Sequence, residues 1–217
     1  MSIFNFHYCV PPDTVAQNYN LNKPIGENET GFRGPSDATY RTEAWDFLLA
    51  GGALYNNLDY SFTTSHPDGT FADHKAPGGG SPAFRRQLKT LKAFIDGFDF
   101  VRMTPNQAVI QGPLPANITA RALADPGRQY ALYFKHAALG QPGNPNDRDK
   151  NPLAPPTTAT QMDLTLDLPA GAYAVQWLNP STGKTERSET LRHPGGPTTL
   201  HAPAFVEDLA LSLRTAP

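Results

Sequence analysis

The sequence predicts an α/β part followed by an all-β part: the last three βα units of a (β/α)8 barrel over residues 1–103, then an antiparallel β-sandwich over residues 104–217. Three observations predict it. Strand-like and helix-like periodicities alternate up to about Met103, and such alternation implies parallel strands covered by helices. From about Asn106 onward, eight short period-2 runs follow one another with no helical run among them, the pattern of two packed antiparallel sheets. Finally, each strand-like run of the first part ends in a cluster of polar side chains. A closed barrel takes roughly 250 residues, so alternation that stops near Met103 accounts for only its final three units.

The elements follow in order. Phe4, Phe6 and Tyr8 alternate with Asn5, His7 and Cys9 in a first strand, which Pro11-Pro12 ends. Asp13 caps a short helix over "DTVAQNYNL". "KPIGENETGF" is a second strand running into a loop. In "SDATYRTEAWDFLLAGG", Tyr40, Ala44, Trp45, Leu48 and Leu49 share a face at helical steps; Ser36 or Asp37 can cap this helix, and Gly51-Gly52 stops it. "ALYNNLDYSFT" gives the third strand. A long polar Gly/Pro loop, "SHPDGTFADHKAPGGGSP", follows, of a kind that covers sites. The next helix begins near Pro82, carries Phe84, Leu88, Leu91, Phe94 and Ile95 in one stripe, and ends around Gly97. In the all-β part, "NPSTGK" reads as a tight hairpin turn, and "LGQPGNPNDRDKNPLAPPTTA" as a flexible excursion. The opening at Ile3, already strand-like, reads as a chain that begins inside a domain.

Composition narrows the function. The 217 residues are 39% hydrophobic and 18% charged, with a formal net charge of -2. Such a chain has no general positive field for nucleic acid or anionic lipid, and no run approaches the ~20 apolar residues of a membrane span. Neither partner is expected. The single cysteine, Cys9, excludes an internal disulfide. His66, Asp68, Asp73 and His74 share one loop but match no metal-clip spacing, so neither metal nor cofactor is expected.

Parallel sheets and barrels place their sites at the carboxyl ends of their strands. The first strand carries Asn5, His7 and Tyr8 there, the second Glu27, Asn28 and Glu29, the third Asn56, Asn57, Asp59 and Tyr60. Amide, imidazole, phenol and carboxylate groups at three successive ends suit a hydroxyl-rich ligand such as a sugar. Each residue also has a plain structural reading. Glu29 is either a site carboxylate or a turn carboxylate paired with Arg33 or Arg41; His7 is a ligand contact or a hydrogen-bonded structural histidine; Asp59 is a contact or a loop cap. Trp177 and Tyr173 are read as packing between sheets rather than as a sugar-stacking platform.

"NFHY" on one strand, "NETGF" closing the next, "YRTEAWDFLLAGGALYNNLDYSF" after it and "GAYAVQWLNPSTGK" in the all-β part together resemble the end of a cellulase-like barrel glycoside hydrolase, more narrowly the apiosidase-like group. In that group the barrel is followed by a β-sandwich labelled a collagen-binding domain. The resemblance implies that Glu29, followed by Thr30-Gly31, is the nucleophile at the end of the seventh barrel strand. His7 and Tyr8 would touch substrate and tune the nucleophile, and Asn5, Asp59 and Tyr60 would contact sugar. It also implies a retaining mechanism on a carbohydrate substrate, and secretion or periplasmic export of the complete protein.

Retention needs a second carboxylate about 5–5.5 Å from the first. Related barrels place it after the fourth strand, which this chain lacks. Glu27 and Glu29 lie on one strand with backbones roughly 6.5 Å apart, and parallel side chains do not flank a bond from opposite sides, so they are not the pair. The acid/base is therefore expected upstream, with the barrel completed by a missing N-terminal segment or by another chain. The alternative function is a non-catalytic carbohydrate- or matrix-binding protein whose barrel remnant is scaffold.

Overall fold

The computed structural model describes residues 2–9, 14–30, 33–73, 78–139, 142–144, 147–152 and 156–215. The first part runs β1 (Phe4–Phe6), α1 (Thr14–Asn18), β2 (Ile25–Glu27), α2 (Asp37–Leu49), β3 (Leu54–Tyr55) and α3 (Pro82–Asp96). Both strand pairs are parallel, in the order β1-β2-β3, with Phe4 opposite Ile25 and Glu27 opposite Tyr55. The strands are shorter than the sequence runs, so Asn28, Glu29, Asn56, Asp59 and Tyr60 lie in the loops beyond their ends.

The second part comprises β4 (Thr104–Pro105), β5 (Ile110–Gln111), β6 (Ile118–Asp125), β7 (Gln129–His136), β8 (Pro142–Asn144), β9 (Asp147–Pro152), β10 (Asp163–Leu168), β11 (Gly171–Leu178), β12 (Thr185–His193), β13 (Gly196–His201) and β14 (Asp208–Thr215). Six strands form one antiparallel sheet in the order β12-β11-β14-β7-β6-β4, and three form another, β13-β10-β5. Leu164, Leu166 and Leu168 of the smaller sheet and Leu132, Phe134, Val175, Trp177, Leu211 and Leu213 of the larger make one core. Trp177 and Tyr173 are buried within it, as their alternating positions require. The segment between β7 and β10 lies partly outside the described residues. Its described residues include the antiparallel pair β8 and β9, whose backbone pairing no hydrophobic alternation announces.

Helix α2 joins the two parts because it is buried on nearly every side, from Thr39 to Phe47. Phe47 and Ala50 pack with Ile25 of β2 and Val15 of α1. On another face Ala44, Trp45 and Leu49, with Leu91 and Phe94 of α3, pack on Leu123, Ala131, Tyr133 and Ala210 of the six-stranded sheet. The Trp45 and Tyr133 rings stack at a centroid separation of 5.3 Å. The expected capping by Ser36 is not made; its side chain forms no cap hydrogen bond. Asp37 instead sits in the first turn, where a carboxylate favours the positive end of the helix, and accepts from the Ser81 hydroxyl at 2.9 Å. That hydroxyl in turn accepts from Phe84 N–H at the start of α3, so the caps of the two helices are linked.

Charged groups inside this junction are paired. The Arg41 guanidinium donates to Asp208 through Nε at 2.9 Å and to Glu207 through Nη2 at 2.7 Å, and Tyr133 donates its phenol proton to Asp208 at 2.9 Å. Asp46 of α2 meets Lys135 of β7 at 3.1 Å. Removing one partner of a buried pair strands the other charge at a cost of about 3–5 kcal/mol. Arg41→Ala should therefore lose stability of that order in urea denaturation, and Asp208→Asn added to it should recover part of the loss. Equal stability of Arg41→Ala and wild type would contradict the pairing.

Candidate functional site

The site is built at the carboxyl end of the parallel sheet, where β1 and β2 continue their pairing into the following loops. Asn28 N–H donates to Phe6 C=O at 3.0 Å and Tyr8 N–H donates to Glu29 C=O at 2.6 Å. These bonds place the "HY" and "NE" pairs side by side. Tyr8 adopts a left-handed backbone, with φ of 61°, a conformation that costs energy for a bulky residue and that clusters at functional positions.

Glu29, with its side chain 15% exposed, is the carboxylate at this mouth. His7 Nε2 lies 3.8 Å from Glu29 Oε2, on the more open side. The Tyr8 phenol is hydrogen-bonded to the same carboxylate, and that bond, with a lesser contribution from burial, raises its ionisation to about 12. Burial, followed by the Glu29 charge, also raises the Tyr60 phenol. The structure thus brings His7, Tyr8, Glu29 and Tyr60 into one electrostatic group. Asn5 lies two residues before His7 and opposite Gly26: a Cβ on that glycine would meet Asn5 Oδ1 at 2.8 Å.

Asp59 is placed differently. Its Oδ1 accepts from Ser61 N–H and hydroxyl at 2.9 and 2.6 Å, and its Oδ2 from Arg85 Nη1 at 2.7 Å. Arg85 reaches on to Gly69 C=O and lies over the Phe62 ring, so Asp59 belongs to the anchorage of the loop that follows β3. In that loop His66 bonds Ser65 and Asp68 holds Thr70. His74 lies outside the described residues. Among the described residues, no three histidine, cysteine or acidic side chains are grouped to hold a metal, and no helix is long and apolar enough to cross a membrane.

Below the mouth is a network of buried groups that the sequence pattern does not announce. Arg33 Nη1 pairs with Glu43 Oε1 of α2 at 2.5 Å, so Arg33 is occupied by Glu43 and not by Glu29. The Tyr55 phenol donates to Tyr40 C=O and lies 3.3 Å from Glu43 Oε2 and 3.5 Å from the Thr30 hydroxyl. Thr30, the neighbour of Glu29, is thereby tied to a helix buried between two sheets. The one signal in the sequence is a glutamate in the middle of a helix, beside Ala44 and one turn from Tyr40 and Phe47. Glu27 is also buried here. Cys9 N–H reaches its Oε1 at 3.4 Å, while Oε2 has no hydrogen-bond partner among the described residues. Burial, reinforced by the Glu43 charge, raises the Glu27 carboxyl to about 7.

Among solved structures, the chain is similar to a glycoside hydrolase at 17% identity, with a TM-score of 0.57 over 89% of this chain and 43% of that one. It is similar also to a family 5 glycoside hydrolase from Bacteroides vulgatus, at 16% identity and a TM-score of 0.56 over 89% and 42%. The chain has a glycosidase-like fold, and it spans less than half the length of these structures. No family model matches the sequence. No curated protein matches it either.

Two titrations check the site. With tyrosine ring carbons labelled and assigned, the Tyr8 phenol should titrate near pH 12 in wild type by NMR and move down toward the ordinary tyrosine value in Glu29→Ala; an unmoved Tyr8 titration would break the Tyr8–Glu29 link. Glu27 binds its proton more tightly folded than unfolded, so its contribution to stability is fully present below pH 4.5 and is lost as pH rises toward 7. Glu27→Gln should therefore be near neutral at pH 4 and stabilising by about 1–3 kcal/mol at pH 8 in denaturant unfolding. A pH-independent effect would contradict the buried carboxyl.

Proposed function

We propose that residues 1–103 are strands six to eight of a (β/α)8-barrel glycoside hydrolase, with residues 104–217 its attached β-sandwich, and that Glu29 is the nucleophile of a retaining reaction on a carbohydrate. The observation that carries the reading is the Tyr8 phenol bonded to Glu29 with His7 beside it, at the carboxyl ends of parallel strands. The likeness of the fold to glycoside hydrolases supports it.

In this reading Glu29 attacks the anomeric carbon and the glycosyl group passes to its carboxylate as the leaving oxygen is protonated. The Tyr8 hydrogen bond and His7 hold the carboxylate in line, an orientation effect rather than a proton transfer. Asn5 and Tyr60 face the sugar, and Asp59 acts through the loop it anchors with Arg85. Retention requires an acid/base carboxylate about 5–5.5 Å from Glu29. Glu27 is buried beneath the same strand and cannot reach across the bond, so that group comes from barrel strands outside this chain. By itself the 217-residue chain hydrolyses glycosides poorly.

The test uses the enzyme completed with barrel strands one to five and an aryl glycoside. Glu29→Ala should lower turnover by at least about a thousandfold, and azide should restore part of it by taking the place of the carboxylate. Equal rates for variant and wild type would discard the assignment.

A further inference from the structure

Glu27 is fully buried at the end of β2, yet the proposed reaction uses neither of its oxygens. Oε1 accepts from Cys9 N–H at 3.4 Å, and Oε2 has no hydrogen-bond partner among the described residues. A glutamine or a methionine would fill the same space without a charge to desolvate. What a carboxyl adds is an acceptor whose strength changes with its proton.

The Cys9 bond lies where it can govern Tyr8. Tyr8 N–H and Cys9 N–H belong to the peptide groups on either side of the Tyr8 Cα, so fixing both fixes its φ and ψ. The first donates to Glu29 C=O at 2.6 Å and the second to Glu27 Oε1. Both acceptors lie on the stretch of chain that carries Glu29. Between them Tyr8 is held at φ of 61°, a conformation that a bulky residue keeps only where its surroundings over-determine it. From there its phenol reaches the Glu29 carboxylate. β1 ends at Phe6, so Cys9 N–H lies past the strand pairing and takes a side chain as its partner.

We propose that Glu27 is a positioning residue of this site: through Cys9 N–H it holds the Tyr8 backbone that brings the phenol onto Glu29, more tightly without its proton than with it. In the proposed reaction, on which this role rests, the effect is to keep the nucleophile in line. An ionised acceptor makes the stronger hydrogen bond. Burial raises the Glu27 carboxyl to about 7, the Cys9 N–H works against that rise, and the Glu43 charge adds to it. A bond that favours the charged form is, by reciprocity, tightened when the proton leaves. The hold is therefore weaker below pH 7 and stronger above it. The groups around Glu27 leave this order intact. The Cys9 thiol is raised by burial and by the Glu27 charge, so it stays neutral in this range. Glu43 of α2 is paired with Arg33. Tyr55, opposite Glu27 in the β3 register, has its phenol pushed well above its ordinary value by burial and keeps its proton. Glu29, two residues on, is the carboxylate that the Tyr8 phenol bonds.

The test follows the Cys9 amide and the Tyr8 ring by NMR in the 217-residue chain without substrate, so its failure would leave the Glu29 assignment to the azide experiment. A His7→Gln background removes the imidazole beside Glu29 from the titration. Between about pH 5 and pH 9 the Cys9 amide proton should move downfield with a midpoint near 7, and the Tyr8 ring carbons should follow with the same midpoint. Glu27→Gln keeps an acceptor but has no proton to lose; it should abolish the step and leave the Tyr8 phenol raised. Glu27→Met fills the space with no acceptor. It should speed hydrogen exchange at the Cys9 amide by roughly tenfold or more and let the Tyr8 phenol fall from about 12 toward the ordinary tyrosine value. The proposal is overturned by the absence of a step near pH 7, by a step that persists in Glu27→Gln, or by glutamine and methionine variants that behave alike.

Discussion

The structure depends on one helix being buried from two directions. A three-stranded parallel sheet of two- and three-residue strands cannot supply a core of its own, and β1, β2 and β3 are of that size. Phe47 of α2 and Ala50 at its C-cap give those strands something to pack on. The helix is itself held against the six-stranded sheet by Trp45 and Tyr133. Its polar residues are then necessarily inside the protein, and each of Arg41, Glu43 and Asp46 meets an opposite charge. Replacing such pairs by apolar groups is often no less stable, but leaving one half unpaired is costly.

The same helix reaches the candidate site. Glu43 holds Arg33 and approaches Tyr55, Tyr55 lies against Thr30, and Thr30 is covalently next to Glu29. A carboxylate at a strand end would otherwise swing with its loop. Its position is fixed from below by groups in the buried layer and from the side by Tyr8 and His7. In the proposed reaction Glu29 would need this restraint, because misplacement by about 1 Å can cost a hundredfold in rate. The antiparallel sheets, although far from the mouth in sequence, support the site through α2.

Much of this was legible in the residues. Period-2 runs located the seven longer antiparallel strands β6, β7 and β10 to β14, and the Phe84 to Ile95 stripe located α3, which buries one face. Helix α2 was legible as a helix through its ends, but its all-round burial was hidden, since a sequence cannot say that Arg41 and Asp46 point into a junction. In the site, "HY" and "NE" could be placed at strand ends by counting. Asp59 could not be assigned, because its partner Arg85 lies 26 residues away across a loop. The Arg33–Glu43 pair was equally hidden: it forms only when the loop after β2 folds back on α2.

Burial of α2 against both makes the parallel sheet and the antiparallel sheets one cooperative unit. Native-state hydrogen exchange on the full chain tests it most directly. The slowest amides of α2, β2 and β7 should exchange through a common opening of equal free energy and respond alike to added denaturant. An opening that releases β2 and α2 at lower free energy while β7 and β14 stay protected would contradict it.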